Sequence, residues 1–242
     1  MMNRTSILRF SILRNILWGI AVVLLLNSCK KGDNDYPGNN TGVSYVGLVH
    51  ASAGATALDF AFDNNRAGVN YFNYTDRINY LNVYPGTRNF NVYNKNAGIS
   101  NPNFTKSINF IAGKYYTIFL ADTASKMDAV VVRDSTRAAI GDSVRLRFSN
   151  MSPDAPALDL YVKGNVTPIA SNITYKSAGA FFSYPSEGNV VFEIRKNGQS
   201  TLLATADAVN LYRGNVYTVW TGGYTGGSDA AGTRIRLEIF SH

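Results

Sequence analysis

The chain has 242 residues, with 23 Lys and Arg against 16 Asp and Glu, two His and a single Cys. The net charge of +7 is scattered, with no run of four or more basic residues, and this excludes the clustered basic face that nucleic-acid binding needs. Two histidines and one cysteine are too few for a zinc site or for a Cys–His or Ser–His–Asp arrangement, so neither a metal nor another cofactor is expected.

The chain opens with Arg4, Arg9 and Arg14, followed by an apolar run from Ile16 to Leu26. Eleven apolar residues are too few to span a bilayer, which takes about 20, but they match the core of a signal peptide. Leu26-Asn27-Ser28-Cys29 then resembles the lipobox of bacterial lipoproteins. The resemblance implies that residues 1–28 are removed and that Cys29 becomes a lipidated N-terminus carrying diacylglycerol and a further acyl chain such as palmitate. Such an anchor holds a protein stably on a membrane. Residues 29–42 are rich in Gly, Asn and Asp and read as a flexible tether, similar to those of Bacteroidetes lipoproteins. The expected location is the outer membrane, with the periplasmic side and the cell surface both open.

Removing residues 1–28 leaves 214 residues and a net charge of +4, enough chain for two domains of roughly 100 residues. Residues 43–134 form the first. Val43 to His50, Leu58 to Phe62, Ile78 to Tyr84, Phe90 to Tyr93, Phe104 to Ile111, Tyr115 to Leu120 and Ala129 to Val132 read as short strands of near-alternating polarity. Pro85-Gly86 supplies a turn. Ala112-Gly113-Lys114 is expected to close a hairpin between its two flanking strands. Residues 135–143 are polar and read as a linker that leaves the two domains free in orientation.

Residues 144–242 repeat the plan. Ser52-Ala53-Gly54-Ala55-Thr56-Ala57-Leu58-Asp59-Phe60 returns as Ser152-Pro153-Asp154-Ala155-Pro156-Ala157-Leu158-Asp159-Leu160, with five of nine positions identical. Tyr84-Pro85 returns as Tyr184-Pro185, and Gly113 to Ile118 as Gly214 to Val219, where a hairpin across Leu211 to Trp220 is expected. This is a tandem duplication. Seven or eight strands per copy, with no amphipathic helical period, indicate two immunoglobulin- or fibronectin-like β-sandwiches.

Several of these residues also carry a family resemblance. Ser152-Pro153-Asp154-Ala155-Pro156, His50-Ala51-Ser52 and Ala112-Gly113-Lys114-Tyr115-Tyr116-Thr117 resemble the signature of the domain of unknown function 4397. The resemblance implies two copies of that module over residues 43–240 and brings no activity with it.

Asp59 and Asp159 stand at equivalent positions of the two copies. They are expected to be structural, accepting backbone N–H groups of the preceding loop. Their alternative role is as ligands or acid–base groups. His50 is replaced by Asn150 in the second copy, and His242 is expected to be loose. Residues 29–242 hold only Glu187, Glu193 and Glu238, the last two at outward strand positions, so no carboxylate pair for glycoside hydrolysis stands out. Tyr71, Tyr74 and Tyr80, set among asparagines, form a candidate glycan-binding face or the packed edge of a sheet. The expectation is a non-catalytic, lipid-anchored envelope protein that binds a protein or a glycan. Glycan capture beside an outer-membrane importer is the second reading, and a glycan-active enzyme the third.

Overall fold

The computed structural model describes residues 42–242 except Thr56, residues 67–71 and residues 96–99. The signal-peptide stretch, Cys29, nearly all of the tether and Tyr71 lie outside the described residues. Thr41–His242 forms one compact unit, and among the described residues the regular structure is all β.

The first copy contains β1 (Ser44–His50), β2 (Leu58–Phe62), β3 (Asn65–Arg66), β4 (Arg77–Val83), β5 (Gly86–Asn94), β6 (Phe104–Phe110), β7 (Tyr115–Ala121) and β8 (Asp128–Arg133). They form two sheets, ordered β4-β1-β7-β8 and β3-β2-β5-β6. Alternation puts Val46, Leu48, Ile118 and Leu120 on the inner face of one sheet, against Phe60, Phe90, Val92 and Phe110 of the other. Edge-to-face rings such as Phe62 and Phe110, 5.8 Å apart, fill the space between.

The second copy contains β9 (Ser143–Asn150), β10 (Leu158–Val162), β11 (Ala170–Ile173), β12 (Ser177–Ala178), β13 (Phe182–Pro185), β14 (Phe192–Lys196), β15 (Leu202–Thr205), β16 (Val216–Gly222) and β17 (Arg236–Ser241). Its sheets run β12-β9-β16-β17, with β13 also on β9, and β11-β10-β14-β15. The expected class, two tandem all-β sandwiches, is what the chain builds.

The expected hairpins at Gly113 and Gly214 are corners instead. β6 belongs to one sheet, while β7 crosses to the other and lies parallel to β1; β16 likewise lies parallel to β9. Both glycines have positive φ, 70° and 81°, where a Cβ is disfavoured. Just beyond each corner a buried tyrosine turns its hydroxyl back to accept a backbone N–H. Tyr116 takes that of Ile111 at 3.2 Å, and Tyr217 that of Tyr212 at 3.0 Å. The repeated Gly-x-x-Tyr therefore fastens a change of sheet, a geometry that a Gly turn alone does not distinguish from a hairpin.

The repeated serine has a matching role. Ser52 Oγ donates to the carbonyl of Asp122 and Ser152 Oγ to that of Gly223, both at 2.6 Å. Each ties the loop after the first strand to the end of the strand parallel to it. The Tyr84 and Tyr184 match is shifted by one residue in space, because Val83 pairs with Ser44 whereas Tyr184 pairs with Val144.

The copies are not independently oriented as the linker composition implies. Strands β1, β7, β9 and β16 are buried nearly throughout, on both faces. Their outer faces meet in a shared apolar layer of Val49, Phe119, Ala121, Met151, Trp220 and Phe240. Beside it lies a buried polar cluster. Arg147 on β9 has 1% of its side chain exposed and is ion-paired through Nη2 to Asp134, which directly follows β8. Arg147 Nε also donates to Thr218 Oγ1 at 2.8 Å and Nη1 to the Arg133 carbonyl at 3.2 Å. The second oxygen of Asp134 accepts from Thr117 Oγ1 and Tyr80, both at 2.7 Å. His242, expected to be loose, is instead buried here, with Nδ1 2.6 Å from Tyr80 Oη and Nε2 2.7 Å from Thr218 Oγ1.

Removing one partner of a buried ion pair strands the other charge, typically at about 3–5 kcal/mol. Arg147→Ala is therefore expected to destabilise the whole unit by about that amount. Wild type should unfold in one calorimetric transition, and a wild type that melts in two well-separated steps would contradict the welded arrangement.

Candidate functional site

The open side of the first sandwich holds a cleft of about 430 Å³ between edge strands β3 and β4. Its size falls in the range of ligand sites, roughly 300–1,000 Å³. Phe62, Leu81 and Val83 supply an apolar floor, and Asn65, Asn82 and Tyr84 stand at the rim. Tyr84 is 58% exposed although large and aromatic.

The charged walls are already occupied. Asp59 sits on β2, where its Oδ1 accepts the Phe60 N–H at 2.8 Å and its Oδ2 pairs with Arg66. Arg88 donates to Asp63 Oδ2 at 3.3 Å and to the carbonyls of Tyr84 and Pro85 at 3.2 and 2.8 Å. Asp63, at φ 53°, also accepts the Asn89 N–H at 2.9 Å. Both guanidinium groups and both carboxylates are thus fixed by one another and by backbone.

The second copy does not reproduce this set. In the strand ladders Asp63 corresponds to Lys163, Asn82 to Ser183, Tyr84 to Pro185 and Arg88 to Val190. Among the described residues Asp159 has no arginine partner. It accepts the Asn172 and Gly198 N–H groups at 2.8 and 3.0 Å and the Asn197 amide at 2.8 Å. Burial alone would raise its carboxyl pKa, but these donors outweigh that and hold it below the usual carboxylate range. For both aspartates the contacts lie on following segments rather than on the preceding loop, and this corrects the expected geometry.

The tyrosines chosen from sequence are placed elsewhere. Tyr80 is half-buried in the interface cluster, its ring edge-on to Tyr115 at 5.1 Å. Burial and the neighbouring Asp134 charge push its phenol pKa up. Tyr74 is also half-buried, its hydroxyl 3.5 Å from the Arg234 carbonyl, and burial raises its phenol pKa. Neither presents an open face for a sugar ring. His50 is fully buried beside Phe72, while Asn150 donates to the Pro156 and Ile173 carbonyls. Glu193 does take the outward face of β14, opposite to the core residues Phe192 and Ile194, yet it is only 6% exposed and pairs with Arg195 at 2.9 Å.

A second groove, of about 500 Å³, lies between β15 and β17. Its Asp229 is paired with Arg234 at 2.8 Å and Arg236 at 3.5 Å. Glu238 in the same groove has its carboxyl pKa raised, chiefly by burial, and nearby Asp207 adds to this. Among the described residues no cluster of three or more His, Cys, Asp or Glu is arranged to hold a metal ion.

The fold and the cleft together define a tandem β-sandwich protein with a pre-formed cleft on its first copy. The model of the family described as Domain of unknown function (DUF4397) matches residues 44–161 and 149–235, and the chain belongs to that family. No curated protein matches it in sequence. Among solved structures it is similar to the C-terminal domain of AlgF from P. aeruginosa, at 18% identity and a TM-score of 0.31, over 42% of this chain and all of that one. A streptococcal virulence factor whose structure concerns alpha-glucan binding is 9% identical, with a TM-score of 0.26, over 73% of this chain and 92% of that one. A putative cell adhesion protein from Bacteroides ovatus is 10% identical, with a TM-score of 0.21, over 83% and 95% of the two chains. Likenesses this distant carry no argument about the present chain.

His242 supplies a pH test. Burial drives its pKa from 6.5 down to about 4; Asp134 opposes this, while Arg147 and Arg77 add to it. Between these values the unfolded chain takes up a proton that the folded one refuses. Stability is therefore full above pH 6.5 and falls as the pH drops toward 4, by about 3 kcal/mol in all. Urea unfolding of wild type and His242→Gln from pH 7.5 to 4.5 should show a steeper loss in wild type. The depressed Asp159 carboxyl acts in the same direction, at lower pH. Its stabilisation is present above the unfolded carboxylate pKa and is lost as the pH falls through the folded one. Asp159→Asn should cost about 1.5–3 kcal/mol at pH 7 and flatten the acid limb below pH 4.

Proposed function

We propose that this protein is a non-catalytic binding module of the bacterial cell envelope, held to the outer membrane through lipid on Cys29. The observation that supports this reading best is a rigid double sandwich bearing a cleft whose charged groups are all internally paired. A hydrolytic site would need a carboxylate free to exchange protons or attack. Asp59 and Asp63 are instead held by arginines and backbone N–H groups. Rigid placement of neutral groups favours recognition, because little ordering remains to be done on binding. The second copy serves as the support that fixes the first, and the polar tether carries the pair away from the bilayer.

Capture of glycans for an outer-membrane importer is a narrower version of the same reading, and the neutral rim of the cleft favours it over a protein ligand. A glycan-active enzyme is the least supported.

The anchor is tested by labelling cells with radioactive palmitate and fractionating their membranes. Wild type should carry label and sediment with the outer membrane, whereas Cys29→Ser should lose both. A Cys29→Ser chain that stays labelled and membrane-bound would refute lipid attachment at that residue.

A further inference from the structure

We infer that the cleft between β3 and β4 is a saccharide site, specific for a neutral sugar and confined to the first copy; this rests on the binding-module reading above. Three features of the cleft carry the inference together.

The first is the state of its hydrogen-bonding groups. Asn65 and Asn82 are exposed, and their side-chain amides make no hydrogen bond to another described residue. Each amide offers two donors and an acceptor in one plane, which matches the mixed donor and acceptor character of adjacent sugar hydroxyls. The second is charge. A phosphate or an acidic sugar would seek guanidinium groups, yet Arg66 is committed to Asp59, and Arg88 to Asp63 and two carbonyls. An anion would have to compete with carboxylates already in place, whereas uncharged hydroxyls leave those pairs intact. The third is shape. Phe62, Leu81 and Val83 form an apolar floor for the C–H face of a pyranose, and Tyr84, exposed at the rim, offers a ring against which it can stack.

Asp59 becomes a positioning residue here. It holds Arg66, which walls the cleft beside Asn65, so the aspartate retained by both copies supports a binding wall in one and a pair of loops in the other. The second copy lacks the set, with Ser183 and Pro185 where Asn82 and Tyr84 stand in the first.

The test uses the full chain in detergent. Binding of malto-, cello-, xylo- and manno-hexaose, with a hexamer of galacturonic acid as the acidic comparator, is measured by calorimetry. At least one neutral hexaose is expected to bind. Asn82→Ala and Tyr84→Ala should each weaken it at least tenfold without lowering the melting temperature. Tyr84→Phe, which keeps the ring, should bind nearly as wild type, and Asn165→Ala in the second copy should change nothing. Neutral-sugar binding that survives the Asn82 and Tyr84 variants would overturn the cleft assignment and leave the binding module standing. Binding of the acidic hexamer alone would overturn the ligand class. If no hexaose binds while cross-linking in cells joins the protein to one defined envelope protein, the saccharide inference fails and the proposed function survives. If neither is found, both fail.

Discussion

The structure depends on one buried ion pair. Arg147 and Asp134 lie between the two sandwiches with almost no contact with water, and two such charges are tolerated only when their remaining valences are met. They are met by groups from both copies. Thr117 and Tyr80 come from the first, and Thr218 from the second. Since a buried charge is costly to expose and costly to leave half-paired, this cluster admits one arrangement of the copies. The apolar layer of Phe119, Met151, Trp220 and Phe240 supplies burial, which has little direction of its own; the ion pair supplies register. His242 and the Phe181 ring, 5.7 Å apart, close the cluster, and Phe181 also lies 4.6 Å beneath the Arg147 guanidinium.

This joint also explains how a duplicated domain came to have unequal copies. Tyr80 and Phe181 hold corresponding positions in the strand ladders, yet one donates a hydrogen bond to Asp134 and the other offers a ring face to Arg147. A symmetric pair could not surround one arginine and one aspartate. With both inner sheets committed to each other, the free surfaces are the outer sheets and the open edges of the sandwiches. The cleft of the first copy occurs on such an edge, between β3 and β4.

Much of the fold is legible in the residues. Leu58, Phe60 and Phe62 alternate with Asp59 and Ala61, and they become a strand because only that period puts three large apolar groups on one face. The duplication is visible because Ser52, Gly113 and Tyr116 each have a fixed local task repeated at Ser152, Gly214 and Tyr217. The candidate site was not legible in the same way. Tyr71, Tyr74 and Tyr80 form a dense aromatic stretch in the sequence, but density along the chain says nothing of what faces a strand from the next layer. For Tyr80 that neighbour is Asp134, 54 residues away. Asn65, Asn82 and Tyr84 are spread over 20 residues with no motif, and two edge strands bring them together. The exposed Tyr84 beside Pro85-Gly86 was the one usable signal.

By itself the sequence determined the all-β class, the two copies, most strand positions and the paucity of catalytic parts, because these follow from short-range periodicity, turn chemistry and composition. Only the tertiary structure decided that Gly113 and Gly214 turn corners between sheets, that the copies are welded through Arg147 and Asp134, and that His242 is buried between them. It also decided which edge of the first sandwich opens as a cleft. Each of these depends on which sheet a strand joins and which face meets another layer. Those choices are made by burial summed over residues far apart in the chain, and no local pattern records them.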